Sequence, residues 1–403
     1  MVAAGAGIQF LQSCLLLQSF GAYVAVLSED RGWSKTELSF AAALQQMEAA
    51  ILGPALGWII DRFGAHGVIR TGVVVLGIGF MLLSRIESLP AFYGAFIVIA
   101  LGSSLCGFFP LTVSLIHWFE KRRARALSLL GLGLALGGTA VPLVAWFIAH
   151  YGWRAAAFGS GVLFIALGSL LARVMRGRPA LHGELPDGEP APGLSSQTPA
   201  IEPKAATRDF TAREALRTPA FWLLSLGHGF ALFVVSAVNV HAITHLKEGL
   251  GYSLQTAALY IMLMTLAQIG GIGIGAAIGD RFEKRLICAG CMVLHMAGLL
   301  FLTYASNAAM IVAFALLHGV AWGLRGPFMQ AMRADYFGVS AIGTILGLSF
   351  LIIVIGQIGG PMVAGILADA TGNYRAGFTV LALLAGVGSL FFLTAKKPAR
   401  PRA

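Results

Sequence analysis

The chain alternates long apolar runs with short polar breaks. A helix needs about 20 mostly apolar residues to cross a hydrocarbon core. That ruler predicts spans near residues 5–28, 37–60, 67–84, 90–117, 126–149 and 155–173, then near 220–244, 255–279, 286–305, 308–332, 340–367 and 376–395. Residues 175–219 differ, with seven prolines, Ser195, Ser196 and alternating charges, and read as a hydrophilic linker without a core. Thr211-Ala-Arg-Glu214 has the form of a capping box opening a short helix before span seven. The expected organisation is a six-helix bundle over 1–174, a linker over 175–219, a second six-helix bundle over 220–395 and a basic tail over 396–403. The fold class is an all-α polytopic membrane protein with twelve transmembrane helices.

Composition agrees with the pattern. Of 403 residues, 57% are hydrophobic and 11% charged, with a mean hydropathy of +0.80. Soluble domains carry about 25% charged residues, so an ordinary soluble enzyme and an extended disordered chain are both excluded. Residues 2–28 carry no charge and no basic stretch precedes them, so this segment reads as a first span and not as a cleavable signal. The net charge of +10 does not point to nucleic acid, because the basic residues fall between spans. With both termini cytoplasmic, 21 of the 28 Lys and Arg lie on that side, Arg333 counted among them, against 6 on the other. That asymmetry sets orientation and implies a multi-pass protein of the plasma (inner) membrane. Cys14, Cys106, Cys288 and Cys291 all lie in apolar stretches, so no disulfide framework is implied. The Cys288-x-x-Cys291 pair reads as buried small residues. His241 and His245 lack the glutamate of a zinc-protease motif. No metal and no cofactor are expected, and no nucleotide-binding loop is present.

The two halves repeat. Asp61-Arg62-Phe63 ends span two and Asp280-Arg281-Phe282 ends span eight, an offset of 219. Trp118-Phe119 and Tyr336-Phe337 are 218 apart; Gly137 and Pro142 match Gly356 and Pro361 at 219; Arg154 and Arg375 are 221 apart. Four ordered landmarks at nearly one offset indicate a parallel repeat, with a binding site at the midplane of the repeat.

These residues carry a resemblance. Gly57-Trp-Ile-Ile-Asp61-Arg62-Phe-Gly64 resembles the loop signature G-x-x-x-D-R-x-G of the major facilitator superfamily, departing from it with Ala65 and His66 where basic residues are usual. Gly32-Trp-Ser-Lys-Thr-Glu-Leu-Ser39, Trp118-Phe-Glu-Lys-Arg-Arg123, Gly152-Trp-Arg-Ala155 and Ala334-Asp-Tyr-Phe-Gly338 resemble its monocarboxylate-porter and oxalate–formate antiporter branch. The resemblance covers the chain apart from 175–219. It implies that spans one, four, seven and ten line a central cavity. It also implies that Gly57, Asp61, Arg62, Gly64, Asp280 and Arg281 form a gating latch.

A charge inside a span costs about 2.5–3.5 kcal/mol on insertion scales, so each one calls for an explanation. Arg325 in span ten and Glu48 in span two are the two strong ions so placed. His318, Trp322 and Met329 share a helical face with Arg325. A guanidinium there can fork two hydrogen bonds to a carboxylate, or it can hold helices together in an internal ion pair. Relatives in the branch carry a basic residue on span eight. Here Gln268–Gly275 has none, so either Arg325 takes that role from another helix or the ligand is not a simple carboxylate. His228, near the same depth in span seven, is a further substrate contact or a packing histidine. Tyr23 and Gln18 of span one are cavity candidates or interhelical glue. Low dielectric disfavours the charge on Glu48, making it a candidate proton acceptor, or a neutral carboxyl bonded to a neighbouring helix.

The expectation is a secondary active transporter, not an enzyme, moving a small organic anion (monocarboxylate or dicarboxylate) by alternating access. Its partners are that anion, a coupling proton or counter-substrate, and membrane lipid, and the chain is expected to be a monomer. The alternatives are an efflux carrier for amphipathic compounds and a non-transporting membrane sensor acting through 175–219.

Overall fold

A computed structural model of the protein describes residues 1–33, 35–188 and 208–402. Among them every regular element is helical. The middle of the expected linker, 189–207, lies outside the described residues.

The chain forms α1 (Val2–Gln12), α2 (Phe20–Arg31), α3 (Lys35–Phe63), α4 (Ala65–Leu83), α5 (Leu89–Cys106), α6 (Phe108–Trp118), α7 (Arg123–Thr139), α8 (Val141–Leu163) and α9 (Ser169–Val174). Then follow α10 (Ala212–Leu216), α11 (Pro219–Thr244), α12 (Leu254–Ile278), α13 (Lys284–Thr303), α14 (Ala308–Phe337), α15 (Ile342–Thr371) and α16 (Arg375–Thr394). Among the described residues, ten stretches are long and apolar enough to cross a membrane. One of them, Arg123–Val174, runs for 52 residues and turns at Gly152, so it supplies two spans. The 29-residue α3 adds the remaining one, which gives the twelve that the hydropathy pattern predicts.

Several spans are interrupted, and each break has a local cause. One π-helical turn at Ser13–Leu17 joins α1 to α2, and another at Phe164–Gly168 joins α8 to α9. Gly107 separates α5 from α6 in extended conformation. At Gly152 φ is 81°, a left-handed value that a side chain would make costly, and the chain reverses there between spans five and six.

The described residues pack into two compact units. One holds 1–121 and 129–188, the other 122–128 and 208–402. The repeat is visible inside each. A Cβ on Gly137 of α7 would strike the Phe10 carbonyl of α1, and one on Gly356 of α15 would strike the Gly229 carbonyl of α11. Without side chains at these matched positions, span five lies against span one, and span eleven against span seven, at backbone contact. Before α11, the capping box forms as its sequence predicts. The Glu214 amide donates to Thr211 Oγ1 at 3.3 Å, and the Thr211 amide to Glu214 Oε2 at 2.9 Å.

Candidate functional site

Two buried cations of the second unit, Arg325 and Arg333, lie on α14, a 30-residue helix. Eight residues at 1.5 Å per residue separate them by about 12 Å along the axis. Arg325 is 1% exposed. Its Nη1 approaches Met329 Sδ at 3.1 Å, and its Nε has no partner.

Arg333 corrects the sequence reading, which treats it as a boundary charge. It too is 1% exposed, because α14 continues to Phe337 and carries it inside the bundle. Its Nη2 donates to the Leu224 carbonyl at 3.2 Å and to Ser349 Oγ at 3.0 Å, and lies 3.4 Å from His228 Nδ1. Ser349 Oγ in turn meets Ser225 Oγ at 2.8 Å. His228 is therefore seated against Arg333, one step along α14 from the arginine whose depth it was expected to share. The two guanidiniums and His228 are within mutual electrostatic reach. Among the described residues neither arginine has a carboxylate partner.

His318 is fully buried and turns toward α13, its Nδ1 3.1 Å from Nδ1 of His295. Its ring also meets half-buried Trp322 edge-on, with 6.4 Å between centroids. His295 was not singled out from the sequence. Its spacing of four from Cys291 put it on the face of α13 that carries the Cys288–Cys291 pair, which was the one available signal.

The candidates in the first unit occupy separate places. Tyr23 is buried with its ring 6.5 Å from Phe80, whereas Gln18 is exposed at the end of the π-helical turn. Glu48, half-buried on α3, accepts a hydrogen bond from Ser104 Oγ at 2.7 Å, and its Oε1 has no partner. Beside it, Gln12 donates to the Ser103 carbonyl at 3.1 Å, and Gln45 to Ser103 Oγ at 3.3 Å.

The two copies of the Asp-Arg signature are held differently. In the first, Gly57 is buried, Gly64 ends α3 with φ 84°, and exposed Arg62 lies 5.4 Å over the Trp58 ring. Arg178 donates to the Asp61 carbonyl at 2.6 Å. In the second, the Asp280 carboxylate accepts from the Ala124 amide at 3.0 Å and pairs with Lys284 at 2.9 Å. Lys284 also meets Asp335 at 2.9 Å, and Asp335 pairs with Arg123. Asp280 thus sits on the positive pole at the start of α7, while Arg281 is exposed.

His241 and His245 diverge, Nε2 of His241 donating to the Pro361 carbonyl and Nε2 of His245 to the Leu302 carbonyl. All four cysteines are free and buried. Among the described residues no three His, Cys, Asp or Glu side chains form a metal-binding group.

Comparison with known proteins places this architecture. The chain is 27% identical over 399 residues to bovine monocarboxylate transporter 13, covering 95% of this chain and 87% of that protein. It is 26% identical over 402 residues to the membrane sensor protein UhpC of Escherichia coli, covering 94% and 89%. Its fold superposes on a crystal structure of the E. coli fucose:proton symporter with a TM-score of 0.73, at 14% identity and 98% coverage of both chains. The family model described as Major Facilitator Superfamily matches residues 7–324 and 224–403. With twelve helical spans, a six-plus-six repeat and a match running through nearly the whole sequence, this chain belongs to the Major Facilitator Superfamily.

Proposed function

We propose that this transporter moves a small organic anion, a mono- or dicarboxylate, by alternating access, with Arg325 as the anchor for the anion. Arg333 with His228 provides a second cationic contact, and Trp322 and His318 shape the surroundings of Arg325. The observation that carries this reading is the pair of buried guanidiniums that have no carboxylate partner among the described residues. Desolvating an unpaired ion costs several kcal/mol, and a substrate carboxylate that accepts a forked pair of hydrogen bonds would offset that cost. The name of the bovine relative agrees with this substrate class. In the same reading Tyr23 and Gln18 are substrate contacts on span one, Glu48 takes the coupling proton, and both termini are cytoplasmic in the plasma membrane. The Asp61-Arg62 and Asp280-Arg281 copies with Gly57 and Gly64 act as the latch that each transport cycle releases.

Flux into proteoliposomes tests the reading. Wild-type protein is expected to carry carboxylates and to ignore hydrophobic amines. Amine transport that does not respond to replacement of Arg325 would refute it. The likeness to a membrane sensor favours one rival, a receptor without transport; for such a receptor no substrate would give flux. Glu48→Gln is expected to keep transport while flattening its pH profile, and an unchanged profile removes Glu48 from the mechanism.

A further inference from the structure

A second convergence of polar groups lies in the first unit, where α3 passes into α4. Gly64 turns the chain, and the 19-residue α4 begins at Ala65 with no side chain capping it. The first backbone N–H groups of a helix have no intrahelical acceptor. Here Ala65 borders a small opening shared with α6 and the segment after α9. Ser114 of α6 lines the same opening, is 3% exposed, and has a hydroxyl without a hydrogen-bond partner. Nearby, His66 Nδ1 is buried and likewise unpartnered.

Cations come from the segment after α9. The Trp118 indole donates to the Gly177 carbonyl at 2.7 Å, which seats Arg176 and Arg178 on the wall of the opening. Arg178 is engaged by the Asp61 carbonyl. Arg176 has a side chain 55% exposed and, among the described residues, pairs with the rim carboxylate of Glu184 at 3.4 Å. That long, solvent-exposed pair is easily exchanged for a better one. Another nearby acid, Asp187, is occupied by the Glu120 and Lys121 amides.

A helix N-terminus, an unspent hydroxyl and two arginines border the same opening. Such a donor set suits the several oxygens of a phosphate group. We propose that this opening binds a phosphate group, either as the headgroup of an anionic phospholipid or as free phosphate. Exposed Phe63 and Leu181 flank it and suit the lipid form. The site is independent of the arginines on α14, and its failure would leave the transport reading untouched.

The test uses the purified full chain in neutral detergent, titrated with inorganic phosphate, short-chain phosphatidylglycerol or phosphatidylcholine against chloride of equal ionic strength. Melting temperature and lipid retained in native mass spectrometry are the readouts. Phosphatidylglycerol, phosphate or both should stabilise the wild type. Arg176→Gln and Ser114→Ala should each weaken binding by about tenfold or more, and Arg176→Lys should retain most of it. A response to the lipid alone identifies a headgroup site, and a response to both shows that free phosphate also enters. No stabilisation, equal stabilisation by phosphatidylcholine, or unchanged binding by the folded Ser114→Ala and Arg176→Gln proteins would overturn the proposal.

Discussion

Two sets of basic side chains share the end of α14 and neighbouring segments of the second unit, and they are compensated in opposite ways. Arg123 and Lys284 are matched by Asp335 and Asp280, carboxylate against cation, at the rim of the bundle. Arg333 lies only two residues before Asp335, yet it bonds to a carbonyl, a hydroxyl and an imidazole. Residues two apart project to different faces of a helix, so the nearest carboxylate in sequence serves other cations. Ions that hold a fold together come with counter-ions. The interior arginines come without them, which is the condition expected of cations that wait for a ligand.

The largest effect should come from erasing this contrast. Ser349→Asp places a carboxylate where Arg333 now meets a hydroxyl at 3.0 Å. An internal counter-ion would replace the substrate, and carboxylate flux should fall by about ten- to a hundredfold, the equivalent of one charge-assisted hydrogen bond. Melting temperature should hold or rise. Flux at the wild-type level would show that Arg333 is not part of the anion site. Emptying the rim should act on stability instead. Asp335→Asn strips Arg123 and Lys284 of a shared partner whose side chain is 28% exposed. The cost should fall between that of surface and buried pairs, about 1–3 kcal/mol, read by chemical denaturation in detergent.

The smallest effect is at the water-exposed start of α10, where a carboxylate is paired without burial. Hydrogen bonds from Arg208, and then from the Thr211 amide and hydroxyl, lower the Glu214 carboxyl from 4.5 to about 2. A depressed carboxyl contributes stability that is complete above its unfolded value and is lost as pH falls through its folded one. Hydrogen-exchange protection over 211–217, corrected for intrinsic rates, should therefore persist from neutral pH to about pH 4.5 and fade toward pH 2. Loss of protection near pH 6 would contradict the cap as the cause.

Much of the scaffold was legible because it depends on local pattern. Twelve apolar runs announce twelve spans. The 219-residue offset placed Gly137 and Gly356 in equivalent roles before either was seen packing against its neighbour's carbonyls. Arg325 stood out as a charge in an apolar run. Arg333 did not, since a ruler of about 20 residues closes span ten at residue 332, five short of where α14 ends. Besides Gln330 on its own helix, its partners Leu224, His228 and Ser349 are brought to it by tertiary packing. The same holds for His295 with His318, and for Gln12 with Ser103, which are 91 residues apart. Hydropathy marks which segments are buried but not which polar groups meet inside them.

Equilibrium binding of a carboxylate panel to Arg325→Lys and Arg325→Gln, set beside wild type, tests the central claim most directly. Wild type should bind at least one small carboxylate. The lysine variant should bind it at least about tenfold more weakly, for want of the guanidinium fork, and the glutamine variant not measurably. Both variants should remain folded by melting temperature. Carboxylate binding by folded Arg325→Gln at the wild-type affinity would contradict the account.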